Sequence, residues 1–193
     1  LLKNIPEKDY YHSVHNTPEI FKFMLNNKLI GRKGEGGFYK LIKQGDKNIK
    51  YSLNLSTCEY SISLKKKIEN TKIIKNDFQK YLNLDDKFSK YAWNVLSEVL
   101  YYVLEIANDI SPDIVSIDEA MKNGFGWRLG PFEIIDKIGS LFLKEKIISL
   151  NKNIPILLEQ IGNNTFYKID RNEIKFFNFK TKNYSVLKRT EGV

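Results

Sequence analysis

Apolar residues recur at helical spacing in several separate stretches of the chain. Ile20, Phe21, Met24 and Leu25 follow Thr17-Pro18-Glu19, where a capping residue, a proline at the first helical position and an acid near the positive helix end predict a helix over about 18–27. It should stop before Gly31, and the glycine-dense turn 31–37 then leads into Phe38-Tyr39-Lys40, an apolar segment suited to extended backbone. Residues 91–110 give the clearest element. Trp93, Leu96, Leu100, Val103, Ala107 and Ile110 trace one face while Val95, Val99, Tyr102 and Ile106 fill an adjoining one, so a wide apolar surface predicts deep burial. Ser116-Ile117-Asp118-Glu119 matches a capping box and starts a second helix that runs through Ala120 and Met121 to Gly124. Pro131 starts a third, with Phe132, Ile134, Ile135 and Ile138 inward, and residues 141–150 continue after Gly139. A short helix over 156–161 should end at Gly162, and the short connectors predict packed antiparallel neighbours.

Elsewhere the pattern changes. From about Lys43 to Lys90 helical periodicity fades among charges, asparagines and the run Lys65-Lys66-Lys67, so this stretch reads as a long connector. Tyr51, Leu53 and Leu55 alternate within it and could form a short strand. In the tail, Ile174 and Phe176 share one face and Phe177 and Phe179 the other, with Tyr184 and Val186 at the same spacing, which predicts a hairpin. The expected fold is mainly α, a helical bundle with short β segments in the connector and a C-terminal hairpin. Its divisions are expected at 1–45, a 46–90 connector, a 91–162 helical domain and a 163–193 β-rich tail.

Composition narrows the function classes. The 193 residues are 42% hydrophobic, enough to supply a core, and 31 basic against 23 acidic residues give +8. Only Arg32, Arg128, Arg171 and Arg189 are arginines; the remaining basic charge is lysine spread along the chain, which reads as solvation and argues against a specific nucleic-acid partner. The single cysteine, Cys58, forms no intrachain disulfide and fits a reducing, cytoplasmic setting. No apolar run approaches the ~20 residues that span a bilayer. The start, Leu1-Leu2-Lys3-Asn4-Ile5-Pro6-Glu7, lacks an initiator Met and a signal sequence and reads as a chain entered mid-protein.

Candidate chemistry is sparse. Gly124-Phe125-Gly126-Trp127-Arg128-Leu129-Gly130 has glycines spaced unlike a dinucleotide loop and follows a helix instead of a strand, so it reads as a helix C-cap and a close-packed turn. Residues 31–37 lack the order of a P-loop and read as a positive-φ turn that locks Phe38 and Tyr39 onto a neighbouring helix. His12 and His15 have no evident third metal ligand, and Cys58 no positioned base. Glu133 and Asp136 share a helical face, where the Glu complements the helix dipole and the Asp caps or pairs locally. No catalytic, cofactor-binding or metal residue is assigned.

Two stretches together resemble a known family. Leu29-Ile30-Gly31-Arg32-Lys33-Gly34-Glu35-Gly36-Gly37-Phe38-Tyr39-Lys40 resembles a G-R-K-x-G-x-G-F-Y signature, and residues 117–139, with Asp118, Ala120-Met121, Gly124-Phe125-Gly126, Gly130-Pro131-Phe132-Glu133, Asp136 and Gly139, resemble D-x-A-M…G-F-G…G-P-F-E…D…G. Both are similar to the C-terminal helical region of the long bacterial NAD-dependent 3-hydroxyacyl-CoA dehydrogenases of fatty-acid β-oxidation, and Phe166-Tyr167 is similar to that family's tail. Gly34-Glu35 departs from the commoner Thr-Gly pair.

The resemblance implies a bundle of the 6-phosphogluconate/3-hydroxyacyl-CoA dehydrogenase C-terminal type. On that basis 1–45 is the remainder of a first C-terminal helical domain and 91–162 the second. It marks Gly31, Lys33, Gly37, Phe38, Tyr39, Gly124, Gly126, Gly130, Pro131, Phe132, Asp136 and Gly139 as scaffold or interface positions. It implies that NAD and acyl-CoA bind in the whole enzyme, whose G-x-G-x-x-G loop and paired His and Glu match nothing here. The expected partner is the N-terminal dehydrogenase portion or a companion subunit, with a homo-oligomer as a further possibility; the alternative is a non-catalytic module that self-associates or binds a partner.

Overall fold

The computed structural model describes residues 2–14, 16–65, 73 and 77–187. His15, Lys66, Lys67 and Arg189 lie outside them, and with them the histidine pair and most of the lysine run. The chain divides into two units, Leu1–Lys67 and Ile68–Val193.

In the first unit, α1 (Tyr11–Val14) and α2 (Glu19–Asn26) precede three antiparallel strands, β1 (Tyr39–Gln44), β2 (Lys47–Leu53) and β3 (Tyr60–Ile62), in the order β1-β2-β3. Met24, Leu29 and Leu53 form a small core, against which Ile20, Phe23 and Tyr60 pack. The glycine turn closes where the Gly31 N–H donates to Gly36 O at 2.6 Å, and both glycines take positive φ, +91° and +136°. The turn locks only half of what was expected. The Phe38 ring meets Phe21 of α2 edge-on at 5.9 Å, whereas Tyr39 turns to the sheet and lies under the Lys50 ammonium.

The first part of the expected connector is therefore a sheet. Gln44 pairs with Lys47 across Gly45, so Gly45 and Asp46 make a two-residue hairpin loop with Gly45 at φ +59°. Tyr51 and Leu53 alternate within β2 as expected, but Leu55 lies beyond its end.

The second unit is helical with one sheet. Its elements are α3 (Phe78–Leu82), α4 (Lys87–Ile110), α5 (Ile114–Phe125), α6 (Pro131–Ile138), α7 (Ser140–Ser149), α8 (Ile156–Ile161) and strands β4 (Tyr167–Asp170), β5 (Glu173–Asn178) and β6 (Asn183–Val186). α4 starts earlier than its apolar pattern because Asp86 accepts the Phe88 and Ser89 N–H groups as an N-cap. Its buried apolar face is Leu100, Tyr101, Val103, Leu104 and Ala107, with Ser89 and Ser97 buried nearer its start; Val95 and Ile110 are exposed, so the apolar burial is narrower than the pattern predicts. The N-cap of α5 is Asp113, whose carboxylate accepts the Ser116 N–H at 2.8 Å. Ser116 thus sits one turn inside the helix, and the expected Ser116 capping box is not formed, because an aspartate three residues earlier already meets that amide.

Short helix α6 packs on α3, α4, α5, α7 and β4, and buries Phe132, Ile135 and Ile138 almost completely, while Ile134 stays half-buried. Gly139 breaks α6 from α7 at φ +90°. Ser140, buried at the start of α7, donates its hydroxyl to Gly162 O at 2.8 Å, which fixes the end of α8. Lys152 reaches back to Glu98 of α4 at 2.6 Å. The tail carries three antiparallel strands, one more than the expected hairpin. Among the described residues, no helix is long and apolar enough to cross a membrane. The architecture is mainly helical with two small sheets, as expected.

Candidate functional site

The densest polar geometry lies where α5, α6 and β4 meet. Asp118 of α5 is only 1% exposed. Its Oδ1 accepts the Phe132 N–H at 2.9 Å, and its Oδ2 accepts the Glu133 N–H at 3.2 Å and the Tyr167 hydroxyl at 2.9 Å. The first amides of a helix have no partner within it. Gly130, the residue before α6, has no side chain to serve them, so a carboxylate from the neighbouring helix does the capping. That arrangement explains the glycine: a Cβ at Gly130 would overlap Cβ and Cγ of Asp118.

Asp136, one turn further along α6, accepts the Phe166 N–H at 2.6 Å and the Tyr167 N–H at 2.7 Å. The expected local pairing of Asp136 is therefore replaced by a contact thirty residues away, which fastens the start of β4 to α6. Glu133 does act at the helix start, accepting the Gly130 N–H at 2.7 Å, and it also takes Lys122 at 3.0 Å; Lys122 bridges onward to Glu119 at 2.6 Å. Below the clasp, the Phe132, Phe166, Phe177 and Tyr184 rings follow one another edge-to-face at 4.8, 6.3 and 5.9 Å.

Burial pushes Asp118 up to about 6, against the hydrogen bonds from Phe132, Tyr167 and Glu133 that favour its charged form. Burial likewise pushes Asp136 up to about 6, against the Phe166 and Tyr167 amides. The Tyr167 phenol is held well above its ordinary value, by burial first and then by the Asp118 charge. Lys122 is raised chiefly by its hydrogen bond to Glu119. A cleft of about 500 Å³ opens beside the clasp, with Glu133, Asp136, Tyr167, Lys168 and Ile174 among its walls. Each oxygen of Asp118 and Asp136 already accepts a bond from backbone or phenol. The arrangement therefore orients helices and a strand rather than presenting a free acid and base to a substrate.

The remaining marked positions fall into place around it. Pro131 and Phe132 are buried at the start of α6. Gly126 is the left-handed cap of α5 at φ +67°, while Gly124 meets nothing within 4 Å, so of the three glycines only Gly130 is close-packed. Gly31, Lys33, Gly37, Phe38 and Tyr39 belong to the first unit, with Lys33 exposed and Gly37 buried. His12 is exposed in α1, and Cys58 is half-buried at φ +59°. Among the described residues, no three His, Cys, Asp or Glu side chains are grouped to hold a metal ion. Both sheets are antiparallel, and the Gly124–Gly130 loop joins helix to helix, so the described residues do not fit the strand-turn-helix cradle that NAD requires. The roles of Asp118 and Tyr167 went unassigned in the sequence; their signal was the Asp-x-Ala-Met and Phe-Tyr pattern, without the contact between them.

Residues 93–153 match the family described as 3-hydroxyacyl-CoA dehydrogenase, C-terminal domain. A Rickettsia felis protein named as a fatty acid oxidation complex trifunctional enzyme is 34% identical over 89% of this chain and 23% of its own length. A Bacillus subtilis protein named as a 3-hydroxyacyl-CoA dehydrogenase is 35% identical over 93% of this chain and 25% of its own. The chain thus spans about a quarter of the length of these relatives. No solved structure matches it.

Proposed function

Residues 93–153 make this chain a member of the 3-hydroxyacyl-CoA dehydrogenase family through its C-terminal domain, and on that premise we propose that it is the helical support of an NAD-linked enzyme of fatty-acid oxidation, working in the cytoplasm. The reaction is oxidation of (S)-3-hydroxyacyl-CoA to 3-ketoacyl-CoA. The observation that carries this reading is the match of nearly the whole chain to a quarter of two longer relatives, one named for fatty acid oxidation and one as a 3-hydroxyacyl-CoA dehydrogenase. NAD supplies the hydride acceptor, and the residues described here, which do not fit it, take no step in its chemistry.

This chain's part is positional. The Asp118 carboxylate fixes α6 to α5, and Asp136 fixes β4 to α6, so that the helices of the second unit present one fixed surface to the portion that binds substrate. A chimera tests this: in the Bacillus subtilis relative, the matched quarter is replaced by this chain, and NADH formation is followed with (S)-3-hydroxybutyryl-CoA. An active chimera, beside an inactive 193-residue chain and an inactive truncated relative, is the expected result. A folded but inactive chimera, or turnover by the 193 residues alone, would overturn it.

A further inference from the structure

The two sheets, each within its own unit, share one pattern of bonds. Leu53 N–H donates to Phe38 O in the first, and Phe177 N–H to Phe166 O in the second. The Tyr60 hydroxyl donates to Gly37 O, and the Tyr184 hydroxyl to Thr165 O. Lys40 lies 3.9 Å over the Tyr60 ring, and Lys168 3.6 Å over the Tyr184 ring. Asn54 Oδ1 accepts the Ser56 and Thr57 amides just as Asn178 Oδ1 accepts those of Lys180 and Thr181. Ser63 N–H to Lys50 O repeats as Leu187 N–H to Ile174 O. Phe38-Tyr39 therefore occupies the place in its sheet that Phe166-Tyr167 occupies in the other.

In one respect the two places differ. Phe166 and Tyr167 give their amides to Asp136. Tyr39 and Ser52 face each other next to the hydrogen-bonded Phe38 and Leu53, so the Tyr39 amide points off the open edge of β1. Among the described residues, no acceptor meets the Phe38 and Tyr39 amides. Phe166 is fully buried, whereas Phe38 is 40%, Tyr39 57% and Leu41 66% exposed. The cleft beside them, about 530 Å³, carries Arg32, Lys40 and Lys50 against the single acid Glu35.

We infer that the Phe38-Tyr39 edge is the receiving half of the same clasp, and that it docks a helix of the Gly-Pro-Phe-Glu-x-x-Asp kind whose aspartate accepts both amides. The occupant is a helix from a dehydrogenase segment outside these 193 residues. The chain's own α6 is not available, because Asp136 is engaged within its unit. The basic cleft suits an acidic helix start, and the relatives are about four times longer than the part this chain matches. The inference rests on the reading of the chain as part of a larger dehydrogenase.

The experiment titrates the uniformly 15N-labelled 193-residue chain with a synthetic peptide of residues 124–150, with its Asp136→Asn form, and with a hydrocarbon-stapled version that removes the cost of ordering the helix. The Phe38 and Tyr39 amide signals should move downfield and saturate, and the Asn form should bind about tenfold more weakly, the loss of a charge-assisted pair of bonds. No movement with the stapled peptide overturns the inference, as does movement confined to residues 77–187. Concentration-dependent movement without peptide also overturns it, because the occupant is then a second copy. Binding alongside a folded but inactive chimera would leave this docking intact and sink the functional reading; an active chimera without binding would do the reverse.

Discussion

Replacing Asp118 is the sharpest test of the clasp. Asp118→Ala removes the acceptor of three donors: the amide of fully buried Phe132, the half-buried amide of Glu133 and the half-buried phenol of Tyr167. A buried donor left without a partner costs about 1–3 kcal/mol, and the two donors nearer solvent recover part of their loss from water, at about 0.5–1 kcal/mol each. The expected loss is about 2–5 kcal/mol, a large share of the 5–15 kcal/mol that holds an ordinary domain. Asp118→Asn keeps the volume and one acceptor oxygen but turns an NH2 toward a donor, at about 1–2 kcal/mol. Urea unfolding at about pH 7.5, followed by circular dichroism with a shared m-value, reads both losses as shifts of midpoint. The ranking Ala above Asn above wild type is the prediction. An alanine variant within about 1 kcal/mol of wild type would refute remote capping of α6, since among the described residues no other side chain meets the Phe132 amide.

Three further outcomes follow from the same geometry. Asp118 and Asp136 sit near 6 when folded and near the ordinary carboxylate value when unfolded, so their contribution is full below about pH 4 and lost as pH rises through 6. The urea midpoint should be higher at about pH 5 than at about pH 7, and Asp136→Asn should reduce the difference to the part left by Asp118; a rise toward pH 7 would contradict the burial argument. Gly130→Ala should cost about 1–3 kcal/mol by forcing α5 and α6 apart, and Asp118→Ala should not rescue it, because the overlap includes the Cβ of residue 118; a double mutant clearly less destabilised than the sum of the two single losses in urea unfolding would count against that. Phe166→Ala should cost about 3–5 kcal/mol by calorimetry, for it empties a fully buried site between two rings; a loss under 1 kcal/mol would show that the sheet does not bear on α6.

Helices with strong periodicity were legible along the chain, and their ends less so. α7 and α8 stand where their apolar spacing and glycine stops placed them, whereas α4 and α5 begin earlier because Asp86 and Asp113, polar residues outside the apolar pattern, supply their caps. β1 was legible only at its start, where Phe38-Tyr39-Lys40 reads as extended backbone, and its remainder was hidden for a different reason. Its outward residues include Leu41, so the strand lacks the apolar-in, polar-out alternation by which a half-buried strand is found. The site was legible as a motif and illegible as geometry: Asp136 and Tyr167 both lie in stretches singled out by resemblance, but periodicity reports neighbours one turn away. A bond spanning thirty residues has no local trace.

The Asp136 clasp also sets an order of completion during synthesis. α5 and α6 leave the ribosome well before Phe166, and until it arrives Asp136 lacks both of its amide partners and Asp118 lacks the Tyr167 phenol. A nascent chain halted short of that point would therefore keep its helices splayed and hydrated, and the last strands act as the latch by which the second unit becomes resistant to proteases.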